Sequence, residues 1–143
     1  MKISGILHDV GKIGISASIL TKLGKLDDEE FKKIKEHPTK SVCIIRNIKE
    51  LKEILPSIYH HHERYGGGGY PDGISGKEIP LIARIIAVAD TFDAMNSNRA
   101  YRSKLSFEDI LREIKNKTGK QFDPRVVDSF FQVLKKGEIK GIE

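Results

Sequence analysis

Leu81-Ile82-Ala83-Arg84-Ile85-Ile86-Ala87-Val88-Ala89-Asp90-Thr91-Phe92-Asp93-Ala94-Met95-Asn96 is the stretch that decides the fold. Pro80 precedes it and suits the first turn of a helix. Its apolar residues fall on nearly every side of a 3.6-residue repeat, so the helix is expected to be buried. Asp90 breaks the pattern midway along. A carboxylate there costs on the order of several kcal/mol unless it is paired, hydrogen-bonded or bound to a metal. Arg84 and Arg99 are the cations near enough in sequence to pair with it.

The segments on either side are helical as well. Asp27-Asp28-Glu29-Glu30 opens a helix, with Asp27 as N-cap and Glu30 completing a capping box. Phe31, Ile34, Ser41, Val42, Ile45 and Ile48 then recur every three or four residues, and Pro38 should kink or restart that helix. Leu51, Ile54, Leu55 and Ile58 form a second periodic series around Pro56. Ser106 with Asp109 caps a helix ending near Gly119, and Asp123-Pro124 starts another that stops at Gly137. There is no hairpin signal, internal repeat or linker, so the expected class is all-α, with residues 1–143 as a single domain.

Composition agrees with this. The chain has 143 residues, 38% hydrophobic and 31% charged, which excludes a disordered chain and a membrane protein. The longest apolar stretch, Ile85 to Ala89, is far short of the roughly 20 residues of a bilayer span. His8 and Asp9 interrupt the start before a secretory signal can form. The single cysteine, Cys43, excludes a disulfide framework and fits a cytoplasmic location. Between Val42 and Ile44 it reads as a small core residue rather than a nucleophile. Trp is absent and aromatics are 7%, against a stacking platform for single strands. The net charge of +5 comes from lysines scattered over every segment. That reads as a solvated surface, and no nucleic-acid partner is expected.

The histidines and aspartates sit where apolar residues belong. The series Leu51, Ile54, Leu55, Ile58 runs on with the same step into His61 and His62. His37 follows Ile34 by three and precedes Ser41 by four. His8-Asp9 follows Ile6-Leu7, and Asp90 lies in the most apolar helix. Each alone reads as a satisfied core residue. Together, four of the five histidines would be unrelated exceptions, and one shared metal site explains them all. Imidazole and carboxylate ligands suit iron, manganese, zinc or nickel. His60 is offset from the stripe and is left out. The lack of thiolates argues against a structural zinc knot. Carboxylates among several imidazoles can hold two bridged metals, which together suit in-line phosphoryl displacement.

These blocks resemble a known family. His8-Asp9-Val10-Gly11-Lys12-Ile13-Gly14-Ile15 is similar to the signature strand of the HD-domain phosphohydrolases. His61-His62-Glu63-Arg64-Tyr65, followed by Gly67 and Gly69-Tyr70-Pro71-Asp72-Gly73, resembles the loop that names the HD-GYP subfamily. Glu36-His37-Pro38, Ala87 to Ala94, Arg99-Ala100-Tyr101-Arg102 and Gln121-Phe122-Asp123-Pro124 complete the order.

The resemblance implies an all-α HD-domain helical bundle with C-terminal extension helices. It implies a metal-dependent phosphodiesterase that hydrolyses cyclic di-GMP with a metal-bound hydroxide, on two divalent transition-metal ions, iron or manganese. Asp9 would bridge the metals. His8 and Asp90 would bind one, and His37, His61 and His62 the other. Asp9 and Lys12 would be catalytic, and Lys12, Arg99 and Arg102 would hold substrate phosphates. Gly69, Tyr70 and Pro71 would form a lip or lid for a signalling-domain partner.

Two departures temper this. No His or Glu precedes His8, where the family places a further ligand. The expectation is an HD-GYP domain lacking its first helices, with exposed apolar surface that a homodimer would bury. Gly66 stands where the family has Asp, giving four consecutive glycines, Gly66 to Gly69, and a mobile loop is expected. The alternatives are a catalytically impaired signalling module and a generic HD nucleotide phosphohydrolase.

Overall fold

A computed structural model describes residues 2–97 and 105–137. In chain order its α-helices are α1 (Lys2–Leu7), α2 (Ala17–Leu20), α3 (Asp28–Lys35), α4 (His37–Ile45), α5 (Leu55–Tyr59), α6 (Leu81–Asn96), α7 (Phe107–Asn116) and α8 (Pro124–Lys135). Short 3-10 helices cover Val10–Gly14, Lys49–Ile54 and Gly76–Glu78. There is no strand among the described residues, only an isolated bridge between Thr118 and Phe122. The all-α expectation holds. The block His8 to Ile15 is a turn and a 3-10 helix rather than a strand. No helix among the described residues is long and apolar enough to cross a membrane.

Local chemistry sets the helix ends. The Asp27 carboxylate accepts from Glu30 N at 2.8 Å and the Glu30 carboxylate accepts from Asp27 N at 2.9 Å, a complete capping box. Ser106 accepts from Asp109 N, and Asp123 accepts from Arg125 N with Pro124 behind it. Capping of this kind is worth about 1 kcal/mol per helix. Gly137 ends α8 at a φ of 67°, in the left-handed region that favours glycine.

α6 is the central element. Val88, Phe92 and Met95 pack against Ile110 and Ile114 of α7 and Val126 and Val127 of α8, with Phe122 closing the cluster. Burying each large side chain contributes about 1.5–3 kcal/mol. The helix is not covered all round: Leu81 and Ala89 are exposed. Arg84 does not serve Asp90. Its Nη1 lies 2.5 Å from Asp123 Oδ2 and so fixes α6 to the start of α8.

The restart expected at Pro38 is present: the series splits at Glu36 into α3 and α4, with Pro38 in the first turn of α4. Three sequence expectations are corrected. α3 buries nothing fully: Phe31 is exposed and Ile34 only half-buried. Both side chains face a cleft rather than the core. The series around Pro56 is a 3-10 helix followed by a short α5, so His61 and His62 lie in a turn past the helix rather than on its stripe. Cys43 is exposed. α4 turns Ser41 and Ile45, four apart, inward, and this puts Cys43 on the opposite face.

Candidate metal centre

The site is assembled from helix ends. His8 and Asp9 follow α1, and Asp9 is the N-cap of the 3-10 helix Val10–Gly14. His37 is the first residue of α4, and His61 and His62 follow α5. Asp90 alone comes from mid-helix, on α6. The turn after His8 packs directly on α4. Gly11 N donates to Ser41 Oγ at 2.8 Å, and Ser41 Oγ donates to the His8 carbonyl at 2.9 Å. A Cβ on Gly11 would stand 2.1 Å from the His37 carbonyl oxygen, so only glycine lets the two backbones approach this closely.

Two ligand groups result, sharing Asp9. Asp9, His37, His61 and His62 form one, and His8, Asp9 and Asp90 the other; within each the donor atoms lie within 4.8 Å of one another. Asp9 Oδ1 is 3.2 Å from His37 Nε2 and 3.9 Å from His61 Nε2. Asp9 Oδ2 is 3.5 Å from His8 Nε2, which is 3.7 Å from Asp90 Oδ1. The structure therefore brings together all six residues expected as ligands, in the expected two sets.

The hydrogen bonds test whether a cation fits. The Nδ1 atoms of His8, His37 and His61 lie 2.8, 2.7 and 2.6 Å from the carbonyls of Gly5, Ile34 and Ile58. A carbonyl only accepts, so each Nδ1 carries a proton, and in the neutral form that a metal ligand requires each ring presents a bare Nε2 lone pair. Those lone pairs converge on a carboxylate and, at 3.2 Å between His37 and His61, on each other. His8 Nε2 and Asp9 Oδ1 are buried without a hydrogen-bond partner. Facing acceptors with no donor between them are what a bound cation relieves. The donor set fits divalent transition metals.

Electrostatics point the same way. Burial pushes the His61 ring down to about 4. Burial, with His61 and His37 close by, pushes His62 down to about 3. Both are held neutral, as metal ligands must be. For Asp9 burial acts upward, but His37 and Lys12 outweigh it and keep the carboxyl well below the usual range. For Asp90 burial likewise acts upward, and His8 outweighs it, for a net lowering. The His8 ring is shifted down by burial but more strongly up by Asp90 and Asp9.

A cleft of about 730 Å³ opens beside the ligands, lined by Lys12, His37, His62 and Asp90 and also by Asp109, Arg112, Glu113 and Lys117. Lys12 Nζ lies 2.5 Å from Asp9 Oδ2. Arg112 pairs with Asp109, and Lys117 with Glu113 at 2.9 Å. Arg99 and Arg102 lie outside the described residues.

The glycine loop differs from the mobile connection expected of it. Gly66 N donates to Lys120 O at 2.7 Å, Tyr65 N to Gln121 O at 3.1 Å and Gly76 N to Tyr65 O at 2.8 Å. A Cβ on Gly69 would stand 2.5 Å from Glu63 Cα. Gly66 and Gly69 serve close packing, Gly67 and Gly68 take positive φ of 92° and 74°, and the loop has a specified path. Glu63, which sequence reasoning passed over, is 3% exposed, and its Oε1 accepts from Asp72 N and Gly73 N at 2.7 and 2.9 Å. A carboxylate directly after two ligand histidines was the only available signal. His60 stays outside the ligand groups, 3.8 Å from Glu63.

Comparison with known proteins agrees with this geometry. A family model described as an HD domain matches residues 1–126. A cyclic di-GMP phosphodiesterase of Thermotoga maritima is 44% identical over 131 residues, 90% of this chain and 36% of that protein. A cyclic di-GMP phosphodiesterase response regulator of Xanthomonas campestris is 41% identical over 128 residues, covering 88% of this chain and 34% of its own. A 3'3'-cGAMP-specific phosphodiesterase of Vibrio cholerae is 40% identical over 124 residues, covering 85% and 24%. The chain thus spans about a third or less of the length of these relatives. In fold it is similar to the solved structure of a cyclic GMP-AMP phosphodiesterase of Vibrio cholerae, with a TM-score of 0.72, 20% identity, and coverage of 95% of this chain and 38% of the other. With its His-Asp motifs, their order along the chain and the family model all in agreement, the chain belongs to the HD domain family.

Proposed function

We propose that the chain is a metal-dependent phosphodiesterase acting on cyclic di-GMP, an HD-GYP activity. The observation that carries the reading is the pair of ligand groups sharing Asp9, three of whose members, His37, His62 and Asp90, line a cleft. Two relatives named as cyclic di-GMP phosphodiesterases support the substrate. The cleft is within the roughly 300–1,000 Å³ of small-molecule sites.

Divalent metals bound at Asp9 supply an activated water and a charge clamp on the phosphoryl group. The residues do the rest. His37, His61 and His62 would hold one ion together with Asp9, and His8 and Asp90 would hold the other together with the same carboxylate. The carbonyls of Gly5, Ile34 and Ile58 fix three of the rings in the tautomer that offers Nε2. Lys12, on the cleft wall beside Asp9, binds a phosphoryl oxygen and offsets the charge that develops there.

A second reading, a signalling module with impaired catalysis, is favoured by one observation. The group His8, Asp9, Asp90 offers three donors among the described residues, one fewer than its neighbour. One experiment separates the two. Metal content per chain and cyclic di-GMP hydrolysis are measured on the same anaerobically purified protein. Two metals with turnover support the enzyme. One metal or none, and no turnover after iron or manganese is supplied, rejects it and leaves the binding module.

A further inference from the structure

Three of the four imidazoles in the cluster are held alike. His8, His37 and His61 each hydrogen-bond the carbonyl three residues earlier. His62 is the exception: neither of its ring nitrogens has a hydrogen-bond partner among the described residues. Its ring instead lies under Tyr70, with centroids 4.8 Å apart and planes within 22°. Among the described residues this is the one stacked arrangement around the site; His61 with His62 is tilted at 43° and His37 with His62 edge-on at 85°.

The loop is built to deliver that ring. Tyr70 N donates to the His62 carbonyl at 3.3 Å. Gly69 has no Cβ because the Glu63 backbone occupies its place. The buried Glu63 carboxylate takes the amide protons of Asp72 and Gly73, just beyond. Residues on both sides of Tyr70 are therefore pinned to the segment that carries His62.

We propose that Tyr70 is a positioning residue for His62, its ring face doing for this imidazole what backbone carbonyls do for the other three, with Glu63 as the anchor of the loop. A flat aromatic neighbour restricts rotation of the imidazole about χ2 while leaving both nitrogens free. An oriented ligand binds metal more tightly than a rotating one, and loss of such outer support typically costs 10–100-fold in metal affinity. The inference rests on the metal-centre reading for its effect on affinity, though not for its effect on the ring. It also gives the Gly69-Tyr70-Pro71 loop a role inside the site, distinct from the partner-docking role expected from sequence.

The test uses the full chain with Tyr70→Phe, Tyr70→Leu, Tyr70→Ala and Glu63→Gln. Manganese affinity is measured by chelator competition, and the histidine ring resonances of the metal-free protein by 15N NMR. Tyr70→Phe should keep affinity within about twofold. Tyr70→Leu and Tyr70→Ala should weaken one metal by about 10–100-fold. In both, the His62 ring signal should shift or broaden while those of His37 and His61 stay in place. Glu63→Gln should show the same pattern, more weakly. Wild-type affinity and an unchanged His62 signal in Tyr70→Leu overturn the proposal, as does equal loss in Tyr70→Phe. A wild-type chain that binds no metal refutes the metal-centre reading instead, and the His62 signal in the metal-free variants still decides the role of Tyr70.

Discussion

His37 Nε2 and His61 Nε2 face each other at 3.2 Å although both rings have committed their Nδ1 proton to a backbone carbonyl. With both rings neutral, neither has a hydrogen to offer the other, and Asp9 Oδ1 stands 3.2 and 3.9 Å away as a further acceptor. A neutral protein tolerates this arrangement at a cost. A divalent cation among the three atoms converts it into a favourable one.

Metal should therefore stabilise the fold. A divalent ion at 100 times its Kd adds about 2.7 kcal/mol, which for a chain of this size raises the Tm by several degrees. The check is a thermal melt of anaerobically prepared protein with manganese, then with excess chelator. An identical Tm in both would mean the cluster holds no ion.

Without metal the stability should fall in mild acid. His61 and His62 ionise at about 4 and about 3 in the folded chain against 6.5 ordinarily. Below pH 6.5 the unfolded chain takes up protons that the folded chain refuses, so stability drops from pH 6.5 toward about 4. His8 runs the other way, because its raised value favours the protonated fold, and it offsets part of the loss. Urea midpoints of metal-free protein at pH 7 and pH 4.5 should differ, and His61→Gln should shrink the difference. A variant with the wild-type slope would show that His61 is not its source.

Lys12→Met should leave metal binding in place and cut cyclic di-GMP hydrolysis by about 10²–10³, the usual loss for one electrostatic donor aimed at developing charge. Lys12 contacts Asp9 Oδ2, whereas Oδ1 faces His37 and His61. Parallel measurement of metal content and kcat separates the outcomes. Loss of metal in step with activity would make Lys12 a structural support of Asp9 instead.

Gly11→Ala should destabilise the chain by about 3 kcal/mol, at the upper end of overpacking costs. The new methyl would meet His37 O at 2.1 Å and Ser41 N at 2.4 Å. These are backbone atoms that cannot step aside without moving His37. Urea denaturation of the two proteins measures it, and a difference under 0.5 kcal/mol would show that α4 and the His8 turn are not rigidly packed.

Much of the site was legible from where polar residues interrupt apolar periodicity. Asp90 in the Leu81–Asn96 helix and His37 between Ile34 and Ser41 were found by this means, because burying such groups has a cost that demands a reason. The Asp27, Ser106 and Asp123 caps were legible because capping is local. Cys43 was misread because its neighbours in sequence, Val42 and Ile44, say nothing of which way α4 faces.

By itself, the sequence determined the all-α class, the starts of α3, α6, α7 and α8 and the set of metal-capable residues, since propensity, capping and the burial cost of charge act within a few residues. Only the tertiary structure decided at what distances those residues meet around Asp9, that Arg84 serves Asp123 and not Asp90, and that Tyr70 lies flat on His62. The first and the last of these depend on backbones meeting at close range, at Gly11 against α4 and at Gly69 against Glu63. No local propensity encodes such meetings. They follow from packing, where a single missing Cβ sets which chains can touch.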